Sequence, residues 1–148
     1  MRRNIHFYKN SEINQKGVCG YNPLLKVIYM FRINMKGIRG VWTAIKYVNI
    51  DESMIKYMVR AITYVQYMPS KPIKNCIKVF AICYDLSTIL LGFKVYVGQE
   101  NDVDNTALGI FDYLAKEAGL ASAIGRTLYT NNYYTLMALA KHMFNKYG

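Results

Sequence analysis

The chain has 148 residues, of which 53% are hydrophobic and 19% charged, so its composition excludes a disordered protein and suits one domain rather than two. Its apolar runs, such as residues 79–83 and 89–91, are far too short for a membrane-spanning helix, which needs roughly 20 apolar residues. The net charge of +10 is uneven, because the first 80 residues hold 14 basic and 3 acidic side chains and the rest hold 5 and 6. This asymmetry indicates a polyanionic partner, with nucleic acid as the first candidate.

A helix is the first predicted element. Residues 1–21 lack clear periodicity and are predicted to be poorly ordered, whereas residues 22–148 form the predicted domain. Asn22 and Pro23 favour a helix start, because Asn caps free backbone N–H groups and Pro fits the first helical position. Apolar residues then recur at helical spacing, at Leu24, Ile28, Phe31 and Met35. Gly37 is predicted to end this helix.

The next predicted element is a strand that ends in two acidic residues. Residues 41–50 are rich in β-branched and aromatic side chains and lead directly to Asp51 and Glu52. We therefore expect both carboxylates at the C-terminal tip of this strand. A basic, Tyr-rich connection is predicted over about residues 53–75.

Two more strands and a helix follow. The strands are predicted over residues 77–83 and 90–97, and Thr106 is predicted to cap the helix. One face of this helix carries Leu108, Phe111, Ala115 and Ala118. Gly119 is predicted to end it.

The last predicted elements are a short strand and the most clearly patterned helix. The strand covers residues 126–130 and is followed by Asn131 and Asn132. Apolar residues of the helix recur at Leu136, Leu139, Ala140, Met143, Phe144 and Tyr147. This spacing predicts one continuous apolar face.

The order of these elements is typical of an α/β protein with a ribonuclease-H-like fold. Three antiparallel strands are followed by a helix, a strand and a helix, and the sheet is mixed. In that fold the first strand is central and the fourth lies parallel beside it, so Asp51 and Asn131 are predicted to be neighbours. We expect the fold to be incomplete at its C-terminal end.

Four segments in series carry a resemblance to piggyBac-type transposases. Residues 50–54, Ile-Asp-Glu-Ser-Met, are similar to a segment of that family, and so are residues 67–74 with the strand that follows them. Residues 96–98, Tyr-Val-Gly, match a further segment. Residues 128–135 resemble the family's Asp-Asn-(Tyr/Phe)-Tyr-Thr box, with Asn131 at the position of its Asp.

The resemblance implies DNA transposition in the nucleus by an enzyme in which three aspartates hold Mg²⁺. Asp51 occupies the first aspartate position, and Asn131 stands in place of the second. No Asp or Glu follows Glu117 in these 148 residues to serve as the third. We therefore expect Asp51 to be a vestigial catalytic residue with weak or no metal binding, no retained cofactor, and no transposition.

A basic surface with interleaved tyrosines is the predicted DNA-binding region. Its basic residues are Lys56, Arg60, Lys71, Lys74 and Lys78, and its tyrosines are Tyr57, Tyr64 and Tyr67. Lysines and arginine would contact phosphates, and tyrosines would stack on exposed bases. The alternative is that the tyrosines belong to the core and the lysines to an ordinary solvated surface.

The sequence therefore predicts a transposase remnant that is catalytically inactive and binds DNA without sequence preference. One alternative is a domesticated protein-interaction module that keeps the fold without the chemistry. Another is that the sequence is part of a longer, active metal-dependent transposase. Self-association through an incomplete sheet edge is also expected, because such an edge carries unpaired backbone groups.

Overall fold

The structure is a computed structural model that describes residues 14, 18–19, 21–41, 46–58, 62–85, 89–98, 106–120 and 126–147. In chain order its elements are α1 (Leu25–Val41), β1 (Tyr47–Lys56), β2 (Gln66–Tyr67), β3 (Asn75–Tyr84), β4 (Leu90–Val95), α2 (Ala107–Glu117), β5 (Thr127–Thr130) and α3 (Met137–Tyr147). No helix within these ranges has the length and apolar character that crossing a membrane requires. The segment predicted to be poorly ordered, residues 1–21, lies almost wholly outside them and stays a prediction.

The strands of the described ranges form one mixed sheet. β1 lies between β3, which is antiparallel to it, and β5, which is parallel to it. β2 and β4 both pair antiparallel with β3. The central first strand and its parallel neighbour are arranged as the ribonuclease-H-like prediction requires.

The sheet packs helices on both faces, because successive strand residues point to opposite sides. On one face, α2 buries Ile110 and Leu114 in a cluster that includes Ile82 of β3. On the other face, Phe31 of α1 meets Phe93 of β4 edge-on, with ring centroids 5.0 Å apart.

α1 begins at Leu25, two residues after the predicted first helical position at Pro23, and does not end at Gly37. Asn22 Oδ1 accepts a hydrogen bond from the backbone N–H of Leu24 at 2.8 Å, so the predicted cap is confirmed. The helix continues to Val41 because its last turns are stabilised by a hydrogen bond and an ion pair. Arg39 Nε donates to the backbone carbonyl of Met35 at 3.1 Å, and the Arg39 guanidinium pairs with Glu117 of α2 at 3.5 Å. These contacts outweigh the modest helix cost of the two glycines in this part of α1, Gly37 and Gly40.

β1 starts and ends later than the sequence predicted. Val41 belongs to α1, and the strand runs from Tyr47 to Lys56, so Asp51 and Glu52 lie in its middle rather than at its tip. The strand extends because β3 pairs with it as far as Lys56, which lies opposite Cys76. The prediction that a connection begins at residue 53 was therefore wrong, and β2 within it was missed.

α2 has the predicted limits. Thr106 Oγ1 accepts from the backbone N–H of Gly109 at 3.2 Å, and Gly119 follows the helix with a φ of +70°, where glycine is favoured. The apolar face of α3, in contrast, is only partly covered by the described residues. Leu139 is buried, but Leu136 and Phe144 are 49% and 76% exposed.

Candidate functional site

Asp51 and Asn131 meet at the point where β5 stops pairing with β1. The last pair of the parallel register is Ile50 with Thr130, so the next residue of each strand leaves the ladder at the same level. Asn131 Nδ2 donates to Asp51 Oδ1 at 2.8 Å. Asp51 and Asn131 are therefore neighbours, as the fold predicted, although Asp51 is not at a strand tip.

Asn131 also organises the turn between β5 and α3. Its side-chain oxygen Oδ1 accepts from the backbone N–H of Tyr133 at 3.0 Å. Its backbone carbonyl accepts from the N–H of Thr135 at 3.0 Å and from the Thr135 hydroxyl at 2.8 Å. One asparagine thus connects β1, the end of β5 and the segment that leads into α3.

Glu52 and Lys78 form a second charged pair beside this contact. Their Oε1 and Nζ atoms are 2.8 Å apart, and their side chains are only 16% and 19% exposed. The Lys78 ammonium lies 4.8 Å from the ring centroid of Phe80 and 5.9 Å from those of Tyr96 and Tyr133. Aromatic faces attract a cation, so this ammonium is held in place from several sides. Sequence reasoning missed this environment, although the spacing of Lys78 and Phe80 already placed them on one strand face.

Tyr134 is buried near Glu52 and Asp51, close enough for their charges to act on its hydroxyl. It is 1% exposed, and its hydroxyl has no hydrogen-bond partner among the described residues. Burial raises the pKa of Tyr134 well above its usual value, and the negative charges of Glu52 and Asp51 and the nearby Tyr133 raise it further. The Tyr134 hydroxyl therefore stays protonated at neutral pH.

The predicted DNA-binding residues are not all equivalent in the structure. Lys56, Lys71 and Lys74 are exposed where β1 ends and β3 begins, whereas the ammonium of Lys78 is turned toward Glu52. Arg60 lies outside the described residues. Of the tyrosines, Tyr64 is in the core and cannot stack on a base, Tyr57 is half-buried, and Tyr67 is 66% exposed.

Comparison with known proteins decides the family. The profile of the family described as Transposase IS4 matches residues 1–147. The chain belongs to this transposase family. The resemblance to piggyBac-type transposases in the sequence motifs is thereby confirmed.

A solved transposase structure has the same fold. The cryo-EM structure of a piggyBac transposase synaptic complex with hairpin DNA matches 82% of this chain with a TM-score of 0.71 and 20% identity. The matched part is 25% of that transposase chain. No curated protein matches the sequence. The structural match confirms the ribonuclease-H-like fold of this transposase-family chain.

The donor set at Asp51 does not fit the metal centre that the transposase family implies. Mg²⁺ requires several oxygen ligands in near-octahedral geometry. Asn131 presents its N–H to Asp51 while its amide oxygen is engaged by Tyr133, and the Glu52 carboxylate is engaged by Lys78. No cluster of three potential His, Cys, Asp or Glu ligands occurs within the described ranges. Asp51 thus offers a single carboxylate where a transposase needs several.

Proposed function

We propose that this chain is a transposase-derived domain that lacks phosphodiester chemistry and binds DNA through charge, without reading its sequence. The observation that carries the proposal is the 2.8 Å hydrogen bond from Asn131 to Asp51. Asp51 is therefore faced by an amide N–H rather than by a second carboxylate. Without that pair of oxygen ligands, the two-cation stabilisation of an attacking and a leaving oxygen has no anchor.

DNA binding is supported by the position of the exposed lysines. Lys56, Lys71 and Lys74 lie at one end of the sheet, within the part of the chain that carries the excess of basic residues. Phosphate contacts by such side chains release counterions and do not distinguish bases. We extend the proposal to the nucleus as the site of action, since a charge-driven DNA binder acts where chromosomal DNA is.

A domesticated protein-interaction module is the second candidate. It is favoured by the large apolar side chains exposed on α3, in particular Met137 at 73% and Phe144 at 76%. Exposed apolar patches on a folded protein mark contact surfaces. A second copy of the chain is the partner we propose for this surface.

The third candidate is that the chain is part of an active metal-dependent transposase. It is suggested by the small share of the solved transposase that the chain matches. The matched part is a quarter of the piggyBac transposase chain, so further ligands could come from a longer polypeptide. Assays of the purified chain test the first candidate, whereas the third needs a longer polypeptide that supplies the further ligands. With Mg²⁺ or Mn²⁺ we expect no nicking of duplex or hairpin DNA, and Asn131→Asp should not create it. Metal-dependent cleavage abolished by Asp51→Ala would contradict the proposal.

DNA binding is tested by the salt dependence of affinity. Replacing Lys56, Lys71 and Lys74 together by Gln should flatten the slope of log affinity against log salt by about 0.9 for each lost phosphate contact. The change should not alter preference among DNA sequences, as measured by fluorescence anisotropy on unrelated duplexes. Lys78→Gln should change the slope little, because its ammonium already pairs with Glu52.

The matched control removes the same charge elsewhere. Lys36, Lys116 and Lys141 are exposed on α1, α2 and α3, and their replacement by Gln should leave most of the slope intact. Equal effects of the two triple variants would mean that net charge, rather than the end of the sheet, determines binding. A salt-resistant preference for one sequence would contradict the proposal outright.

A further inference from the structure

The orientation of the Asn131 amide is determined by its two partners. Its N–H group faces the Asp51 carboxylate, and its oxygen faces the backbone N–H of Tyr133. Turning the amide over would set its oxygen against a carboxylate and its N–H against another N–H. Both contacts would be repulsive, so Asn131 is a hydrogen-bond donor to Asp51 rather than a second oxygen ligand beside it.

The adjacent carboxylate, Glu52, is engaged by Lys78 on the other face of the strand. Glu52 is consecutive with Asp51 on β1, so their side chains leave the strand on opposite faces. The ammonium of Lys78, held among three aromatic rings, pairs with Glu52 at 2.8 Å. One oxygen of each carboxylate, Asp51 Oδ1 and Glu52 Oε1, thus already faces a donor of the protein itself.

We infer that Asn131 has turned the Asp51 position from a metal-binding site into a hydrogen-bonded clamp that is complete without a cation. The clamp ties the centre of β1 to the turn that leads into α3, because Asn131 also accepts hydrogen bonds from Tyr133 and Thr135. The clamp rests on the proposed function, because its origin from a metal site presupposes that the domain has lost its catalytic activity. The role proposed for Asn131 is a positioning role, and stability measurements test it without DNA.

The decisive variant is Asn131→Asp, which keeps the shape of the side chain and replaces the donor by an acceptor. In EDTA at neutral pH we expect its melting temperature to lie at least about 3 °C below that of the wild type. Saturating Mn²⁺ should restore the variant, because a ligand that binds only the folded state stabilises it by mass action. The same Mn²⁺ should move the wild-type melting temperature by less than about 1 °C.

Two further variants make the test specific. Asn132→Asp adds the same charge to the next, exposed residue of the turn and should show neither the loss nor the response to Mn²⁺. The double variant Asp51→Asn with Asn131→Asp exchanges the two side chains. It restores one donor and one acceptor and has the same net charge as the wild type. It should recover most of the lost stability in EDTA.

Three results would overturn the inference. The first is stabilisation of the wild type by Mn²⁺ that Asp51→Ala removes, since Asp51 would then still be a metal ligand. The second is an Asn131→Asp variant as stable as Asn132→Asp. If Asn131→Asp does not fold in EDTA, Asn131→Ala is measured in its place. The third contradicting result is then an Asn131→Ala protein whose melting temperature equals that of the wild type. None of these results depends on DNA binding or cleavage, so the proposed function can fail or hold separately.

Discussion

At the scale of one residue, the Tyr134 hydroxyl has a measurable cost. It is buried without a hydrogen-bond partner among the described residues, and such a group costs about 1–3 kcal/mol. Tyr134→Phe removes the hydroxyl and keeps the ring, so we expect it to raise the free energy of unfolding by about 1 kcal/mol in urea titrations. Tyr67→Phe is the control, because Tyr67 is 66% exposed and should change stability little.

The same tyrosine makes stability depend on pH in the alkaline range. Its pKa is raised in the folded state, chiefly by burial, so above about pH 10 the unfolded chain releases a proton that the folded chain retains. The contribution is therefore present below pH 10 and is lost as pH rises further. Wild type should lose more stability than Tyr134→Phe between about pH 9 and 11. Parallel losses in the two proteins would mean that Tyr134 ionises as it does in water.

At the scale of elements, the contact between α2 and β4 depends on the absence of a side chain at Gly92. A Cβ atom there would lie 3.2 Å from Glu117 Cβ and 3.2 Å from Ile82 Cγ2. Neither atom can move freely, because Glu117 Cβ is fixed by the α2 backbone and Ile82 is fully buried. Gly92→Ala should therefore lower the free energy of unfolding by about 1–3 kcal/mol.

Gly37 provides the opposite case within α1. Apart from the backbone of α1 around it, no atom of the described residues lies within 4 Å of a Cβ placed on Gly37, so Gly37→Ala should add helix stability of about 0.5–1 kcal/mol. Both variants are measured by urea unfolding under identical conditions. A Gly92→Ala variant with an unchanged free energy of unfolding would show that α2 can shift away from the sheet at no cost.

At the scale of the whole molecule, exposed apolar surface on α3 predicts self-association. Met137 and Phe144 are mostly exposed, and they lie on the same helix as Leu139, which is buried in the core. We expect concentration-dependent association in sedimentation velocity experiments, and Phe144→Lys should weaken it. Ile33→Lys on α1 is the control, since Ile33 is also exposed, at 70%. A wild-type monomer at high protein concentration would contradict this prediction.

Local patterns determined which elements form and in what order. The apolar spacing and the caps at Asn22 and Thr106 located two helix starts, because capping depends on a few neighbouring residues. The element order then gave the central β1 with its parallel neighbour β5, and so the meeting of Asp51 and Asn131.

Only the tertiary structure decided where elements end and which partners the site residues have. β1 continues through Asp51 and Glu52 because β3 pairs beside it, and strand pairing over such a separation leaves no local pattern in the sequence. The donor role of Asn131 depends on a residue 80 positions away, and the placement of Lys78 depends on rings from three separate segments. The sequence by itself determined the family and the residues at the site. The packing of distant segments decided that the amide N–H of Asn131 faces Asp51.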